Sequence, residues 1–213
     1  MKYLDLFSGI GGFALGAYWA GARFDAHYFS EIDPWASELY QKRFPDAVAL
    51  GDIRGIDGLP RGEWVITGGF PCQPFSTAAR GRNNATDLWP EMARVCNLVG
   101  ATVIAENVSF EAIAQARADI GGQIFNIGAA ALGAPHNRPR WWLLANTNRD
   151  RQRGFAEYAE VASISGISRL DWWQNPADPM GMDDGLPGKM DRLRGLGNAI
   201  VPQIAELIFR QLI

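Results

Sequence analysis

Cysteine and histidine are scarce in this chain, with two of each in 213 residues. Cys72 and Cys96 give no disulfide framework and too few thiols for a structural zinc site. Long apolar runs are missing as well, so nothing reads as a membrane span. The opening Met1-Lys2-Tyr3-Leu4-Asp5 carries an acid and no small-residue cleavage site, so no signal peptide is read there. The expectation is a cytoplasmic protein with no membrane partner. Excess positive charge is also absent, the formal net charge being −3. As a whole-chain number this argues mildly against a nucleic-acid partner, but distribution matters more than the sum. Between His136 and Arg153 lie Arg138, Arg140, Arg149, Arg151 and Arg153, opposed only by Asp150. Such a strip suits phosphates, and it equally suits a solvated loop.

What is present is an ordinary globular composition, 47% hydrophobic and 20% charged, of a length that fits one domain with a small appendage. The first half alternates as a parallel sheet with covering helices does. Strands are predicted at 3–7, 24–30, 47–50, 64–67 and 102–105, with helices at 13–20, 34–44 and 88–99 and another after Ser109. Two further strands are predicted at 123–128 and 141–145, and an amphipathic helix closes the chain over 201–212. From Asn146 to about Lys189 the periodicity disappears, leaving a long loop-rich insert. The fold class is therefore α/β, with a doubly wound, mostly parallel sheet.

Five strand ends carry chemistry. Phe70-Pro71-Cys72-Gln73-Pro74 follows the apolar run Trp64-Val65-Ile66 and sets a cysteine between two prolines. Prolines stiffen the loop and keep a helix from forming, and open α/β sheets place ligands at strand carboxyl ends. Cys72 is a candidate nucleophile. The competing reading is a small buried hydrophobe, the commoner fate of a free cysteine. Asp5-Leu6-Phe7-Ser8-Gly9-Ile10-Gly11-Gly12 runs from strand through glycine turn to helix, yet departs from the Gly-x-Gly-x-x-Gly dinucleotide pattern. With Glu31 and Asp52 closing the next two strands, it points to an adenosine-containing ligand. Glu106, at a fifth strand end, could hydrogen-bond or protonate a ring nitrogen, or Glu106-Asn107-Val108 could simply cap the next helix. Cys96 and Trp141-Trp142 read as core, and Trp172-Trp173 as either DNA anchor or subdomain core.

The glycine turn, Pro71-Cys72-Gln73, Glu106-Asn107-Val108, His136-Asn137-Arg138-Pro139-Arg140 and Gly197-Asn198-Ala199 occur in one order. In that order they resemble the DNA (cytosine-5)-methyltransferases, especially compact bacterial or phage members, over residues 1–145 and about 180–213. The resemblance implies a catalytic and cofactor-binding domain, 1–145 plus 189–213, and a small target-recognition region at 146–188. It implies S-adenosyl-L-methionine as methyl donor, held by Phe7, Gly9, Gly11, Glu31, Asp52, Ile53, Leu88 and Asn198. Cys72 would attack carbon 6 of a flipped cytosine, Glu106 would engage ring nitrogen 3, and Arg138 and Arg140 would position the base. His136 stands where the family has glutamine. Ile32 stands where some members stack a tryptophan on adenine, so weaker stacking is expected there. The partner implied is double-stranded DNA, contacted by Gln73, Ser76, Arg80, Arg82, Arg149, Arg151 and Arg153. The loop from Ser76 to Leu88 would close over the base. A cognate restriction endonuclease is a further partner the resemblance allows, and a monomer with no metal is expected. Three rivals stay open: an RNA cytosine methyltransferase, a decayed nucleic-acid-binding member, and a nicotinamide oxidoreductase, which the glycine spacing disfavours.

Overall fold

A computed structural model describes residues 1–71, 87–134, 138–148 and 199–212. Seven strands form one sheet: β1 (Lys2–Leu6), β2 (Ala26–Ser30), β3 (Val48–Ala49), β4 (Trp64–Gly69), β5 (Thr102–Asn107), β6 (Gln123–Gly128) and β7 (Pro139–Asn146). Their spatial order is β3-β2-β1-β4-β5-β7-β6, and only β7 runs against its neighbours. The helices are α1 (Gly12–Trp19), α2 (Pro34–Arg43), α3 (Trp89–Val99), α4 (Phe110–Ile120) and α5 (Pro202–Arg210). This is the doubly wound, mostly parallel α/β sheet expected. Among the described residues no helix is long and apolar enough to cross a membrane. The insert expected at 146–188 lies outside the described residues from position 149 onward.

Period-two alternation divides the core. Leu4, Leu6, Ile66, Val103 and Leu143 face α3 and α4, whereas Tyr3, Phe29, Val65, Ile104 and Trp142 face the side covered by α1, α2 and α5. Helix ends follow local chemistry. Asp33 caps α2 by accepting from the N–H groups of Trp35 and Ala36, with Pro34 at the first helical position. Ser109 caps α4 by accepting from Ala112 N–H. Glu106 makes no such cap, whereas Asn107 Oδ1 accepts from Ser109 N–H at 2.9 Å and so supplies the polar contact at the start of α4. Cys96 is buried in the α3 core, and burial pushes its thiol far above the ordinary range. Trp142 packs edge-on against Phe13 at 5.8 Å, and Trp141 lies 4.7 Å from Phe110, so both tryptophans pack as expected.

On the α1 side a carboxyl group is fully buried. Asp5 pairs in register with Thr67 across β1 and β4. It accepts hydrogen bonds from Thr67 Oγ1 at 2.8 Å and Tyr40 Oη at 3.1 Å. Burial nevertheless lifts its pKa to about 7. Because Tyr40 donates to Asp5, its oxygen accepts from His27 Nε2 at 2.8 Å, and His27 Nδ1 is left to accept from Tyr18 Oη at 3.2 Å. Burial holds His27 neutral, with its pKa lowered to about 4.

Helices α1 and α5 approach so closely that Gly16 allows no side chain. A Cβ there would lie 2.4 Å from Pro202 O and 2.6 Å from Ala205 Cβ. Alanine improves helix propensity by about 1 kcal/mol, but overpacking of this kind costs about 1–3 kcal/mol. Gly16→Ala should therefore lose on the order of 1 kcal/mol of stability. Urea unfolding should register it as a lower midpoint with an unchanged slope, and a raised midpoint would mean that the two helices separate freely.

Candidate active site

The strand order reverses at β1, whose neighbours β2 and β4 lead in opposite directions across the sheet. A crevice opens at such a switch point, outside the strands' carboxyl ends. Here it is a cavity of about 410 Å³. Phe7 and Gly9 enter it after β1, Glu31 after β2, Asp52 and Ile53 after β3, Pro71 after β4 and Glu106 at the end of β5. Leu88, Arg138 and Arg140 also line it.

The donor-side residues are fixed by short local bonds. Glu31 Oε2 accepts from Gly9 N–H at 2.8 Å, and Oε1 accepts from Asp33 N–H at 2.8 Å. One carboxylate thus fastens the glycine turn to the start of α2, and each oxygen keeps a lone pair for a ligand. Phe7 and Arg138 are the non-glycine residues in the left-handed region among those described, at φ 52° and 35°. Both line the cavity, as strained backbone at functional sites does. Gly9 is also left-handed, and a Cβ there would meet nothing within 4 Å, so the turn faces open space. Gly11 stands apart from the expected set. It does not line the cavity, and a Cβ on it would fall 2.7 Å from the Phe44 ring and 3.2 Å from Tyr40. Its missing Cβ lets α1 pack closely against α2.

Asp52 caps the 3-10 turn Ile53–Gly55, and Arg54 forks onto its carboxylate, lowering its pKa to about 2. Ile32 is 70% exposed on the cavity wall.

The opposite end of the cavity is cationic. Arg140 Nε bonds Glu106 Oε1 at 2.8 Å, and Arg138 Nη2 donates to Ala199 O at 2.9 Å, tying the β7 entrance to the segment before α5. Glu106 is buried, which raises its pKa to about 7 despite the pull of Arg140 and Arg138. A carboxyl so poised can hold or give up a proton near neutrality. Asn107 has a role that its sequence motif did not reveal. Its Nδ2 donates to Phe70 O at 3.0 Å, pinning the chain one residue before Pro71. Arg54 was likewise unmarked, although a cation two residues beyond Asp52 is a readable signal. Cys72, Gln73, Ser76, Arg80, Arg82, His136, Arg149, Arg151, Arg153, Trp172, Trp173 and Asn198 lie outside the described residues. So does the expected closing loop from Ser76 as far as Thr86.

The family model of C-5 cytosine-specific DNA methylases matches residues 1–163. The chain belongs to that family. It is similar to the Type II methyltransferase M.HgiBI of Herpetosiphon aurantiacus, 32% identical over 182 residues, which are 75% of this chain and 40% of that protein. It is also similar to the Type II methyltransferase M.MspI of Moraxella sp., 30% identical over 90% of this chain and 51% of that protein. The chain thus spans about half the length, or less, of these two relatives. The S. pombe Dnmt2 methyltransferase has the same fold, with a TM-score of 0.57 at 21% identity, over 79% of this chain and 55% of that one.

The Glu106 carboxyl can be observed directly. Carbon-13 NMR of the labelled protein should show it titrating near pH 7, identified by loss of the signal in Glu106→Gln. Arg140 stabilises the charged form, so Arg140→Gln should move the midpoint upward. A downward movement would mean that the guanidinium does not act on this carboxyl.

Proposed function

We propose that this member of the family transfers a methyl group from S-adenosyl-L-methionine to carbon 5 of cytosine in double-stranded DNA. The reaction would run through a covalent bond between Cys72 and a base turned out of the duplex. The observation that carries this reading is the convergence of the Glu106–Arg138–Arg140 cluster with Phe7, Gly9, Glu31, Asp52, Ile53 and Leu88 on one cavity that Pro71 borders.

The residues present suit the donor. The glycine turn faces open space, and Glu31 has lone pairs free beyond its backbone contacts. Ser8 Oγ is buried beside the turn with no hydrogen-bond partner among the described residues. Phe7, Gly9, Glu31, Asp52, Ile53, Leu88 and Asn198 would hold the donor. Bound there, it supplies an electrophilic methyl group.

Carbon 5 of cytosine is inaccessible in a stacked duplex, so the base must leave the helix. The Cys72 thiolate then adds to carbon 6, while Glu106 places its proton at ring nitrogen 3. Together these steps move electron density onto carbon 5, which becomes nucleophilic. After methylation, loss of the carbon 5 proton to solvent expels the thiolate, and the nitrogen 3 proton returns to Glu106, which restores the ring. Arg138 and Arg140 hold the base and offset negative charge as it develops. Gln73, Ser76, Arg80 and Arg82 would contact the DNA around the open site. The region 146–188 would read the target sequence, with Arg149, Arg151 and Arg153 on phosphates.

The covalent step has a direct test. DNA carrying 5-fluorocytosine, incubated with the protein and the methyl donor, should become trapped as a complex that survives denaturation. Cys72→Ala should abolish both trapping and turnover, while Cys96→Ala, buried in α3, should keep them. Turnover by Cys72→Ala would overturn the mechanism.

The donor site has its own test. Glu31→Ala removes a ribose acceptor and also releases the Gly9 and Asp33 N–H groups. Calorimetry with S-adenosylmethionine alone should show affinity reduced about tenfold or more, since a charged hydrogen bond contributes about 1.5–3 kcal/mol. The methylated DNA sequence should stay the same. Unchanged affinity would move the ribose elsewhere.

A further inference from the structure

We infer that Arg94, which does not line the cavity, is a positioning residue that sets affinity for the methyl donor by holding the turn after β3. The inference rests on the reading of the cavity as the donor site.

The turn needs outside support. Its strand, β3, has two residues, lies at the edge of the sheet and, among the described residues, pairs only with β2. Beyond it, Leu50 N–H donates to Phe29 O at 2.8 Å and Ser30 Oγ to Gly51 O at 2.6 Å, and then the chain leaves the sheet. Within the turn, Gly55 N–H donates to Asp52 O at 3.0 Å and Ile56 N–H to Ile53 O at 3.2 Å. Such a short 3-10 segment does not fix its own position. Yet Asp52, Ile53 and Arg54 all face the cavity.

Arg94 reaches the turn from α3. Its Nη1 donates to Ile56 O at 2.8 Å and its Nη2 to Ile53 O at 3.1 Å. Its Nε donates to Glu91 Oε2 at 2.7 Å, three residues back on the same helix. The planar guanidinium therefore spans two carbonyls at opposite ends of the turn while a carboxylate holds its third edge. A lysine ammonium cannot reproduce this fork. Ile53 and Ile56 are buried in the core that α3 also lines, so the polar clamp and apolar packing set the same position. Small misplacements of binding groups are costly for a ligand that needs several contacts at once. A turn that drifts carries Asp52 and the Ile53 backbone away from the adenine end of the site.

A purely structural role would lower stability and the fraction of active protein, leaving donor affinity and KM unchanged in the folded fraction. Positioning predicts a different pattern. Arg94→Gln should weaken S-adenosylmethionine binding about tenfold by calorimetry. Its KM for the donor should rise by a similar factor, with kcat at saturating donor and KM for DNA within about twofold of wild type. Arg94→Lys should recover part of the affinity, and Glu91→Gln should lose about threefold. S-adenosylhomocysteine should follow the same series, because the affected contacts lie at the adenosine end. If Arg94→Gln does not fold, Arg94→Lys and Glu91→Gln decide. Wild-type affinity in both would overturn the inference while leaving the donor site standing. A wild-type protein that fails to bind S-adenosylmethionine overturns the inference and the site together.

Discussion

The fully buried carboxyl of Asp5 is the constraint on which the ligand end of the sheet depends. It stands where β1 ends, and its two oxygens collect hydroxyl donors from β4 through Thr67 and from α2 through Tyr40. A buried carboxyl left without such partners would cost several kcal/mol, so the strand, its neighbour and the helix must keep their relative positions. The glycine turn begins two residues later. Phe7 and Gly9 can be presented at left-handed φ only because the chain on either side is held: by Asp5 and the β1 register before them, and by Glu31 on Gly9 N–H after them. The network continues through Tyr40 and His27 to Tyr18 on α1, so α1, α2 and the sheet share one polar seam. Polar networks of this kind are costly when partly satisfied and rigid when fully satisfied.

The other end of the cavity is assembled from pieces far apart in sequence. Asn107 ties β5 to the residue before Pro71, and Arg138 ties the start of β7 to Ala199. Each bond is local in space and joins segments that sequence order separates by 37 and 61 positions. The antiparallel β7 makes this possible. Entering the sheet in the reverse sense, it delivers Arg138 and Arg140 to the same sheet end where β5 delivers Glu106.

Much of this was legible in the sequence because it rests on local rules. Alternating apolar residues and turn chemistry placed the strands to within a few residues, and Pro34 and Ser109 marked helix starts. The structure shortens β2, which begins at Ala26 rather than Phe24, and lengthens β7, which begins at Pro139 rather than Trp141. Those differences arise because pairing registers set strand ends and single-residue hydropathy does not. Glu31, Asp52 and Glu106 were readable as acids at strand ends. The resemblance implies Gly11 as a donor contact, and the structure adds that the space its missing Cβ leaves is filled by Phe44 and Tyr40. Asn107 and Arg94 were illegible in the sequence. Their partners are backbone carbonyls of other segments, and a carbonyl has no letter in the sequence.

The cavity's charge distribution fits the proposed chemistry at both ends. Around the glycine turn stand Glu31, Asp33 and Asp52, with Arg54 neutralising one of them. That end is net anionic and offers carboxylate acceptors to the ribose and adenine donors of the proposed ligand. At the far end two arginines face a single carboxyl whose pKa burial has raised to about 7. Near neutrality that end stays cationic, gaining a further positive charge as Glu106 takes up its proton. Electrostatic work is strongest where groups are fixed before charge develops. Arg140 is fixed by Glu106 itself, and Arg138 by Ala199 O. In the proposed reaction, a base that drew the Glu106 proton toward its ring would leave a carboxylate whose counter-ion is already in place.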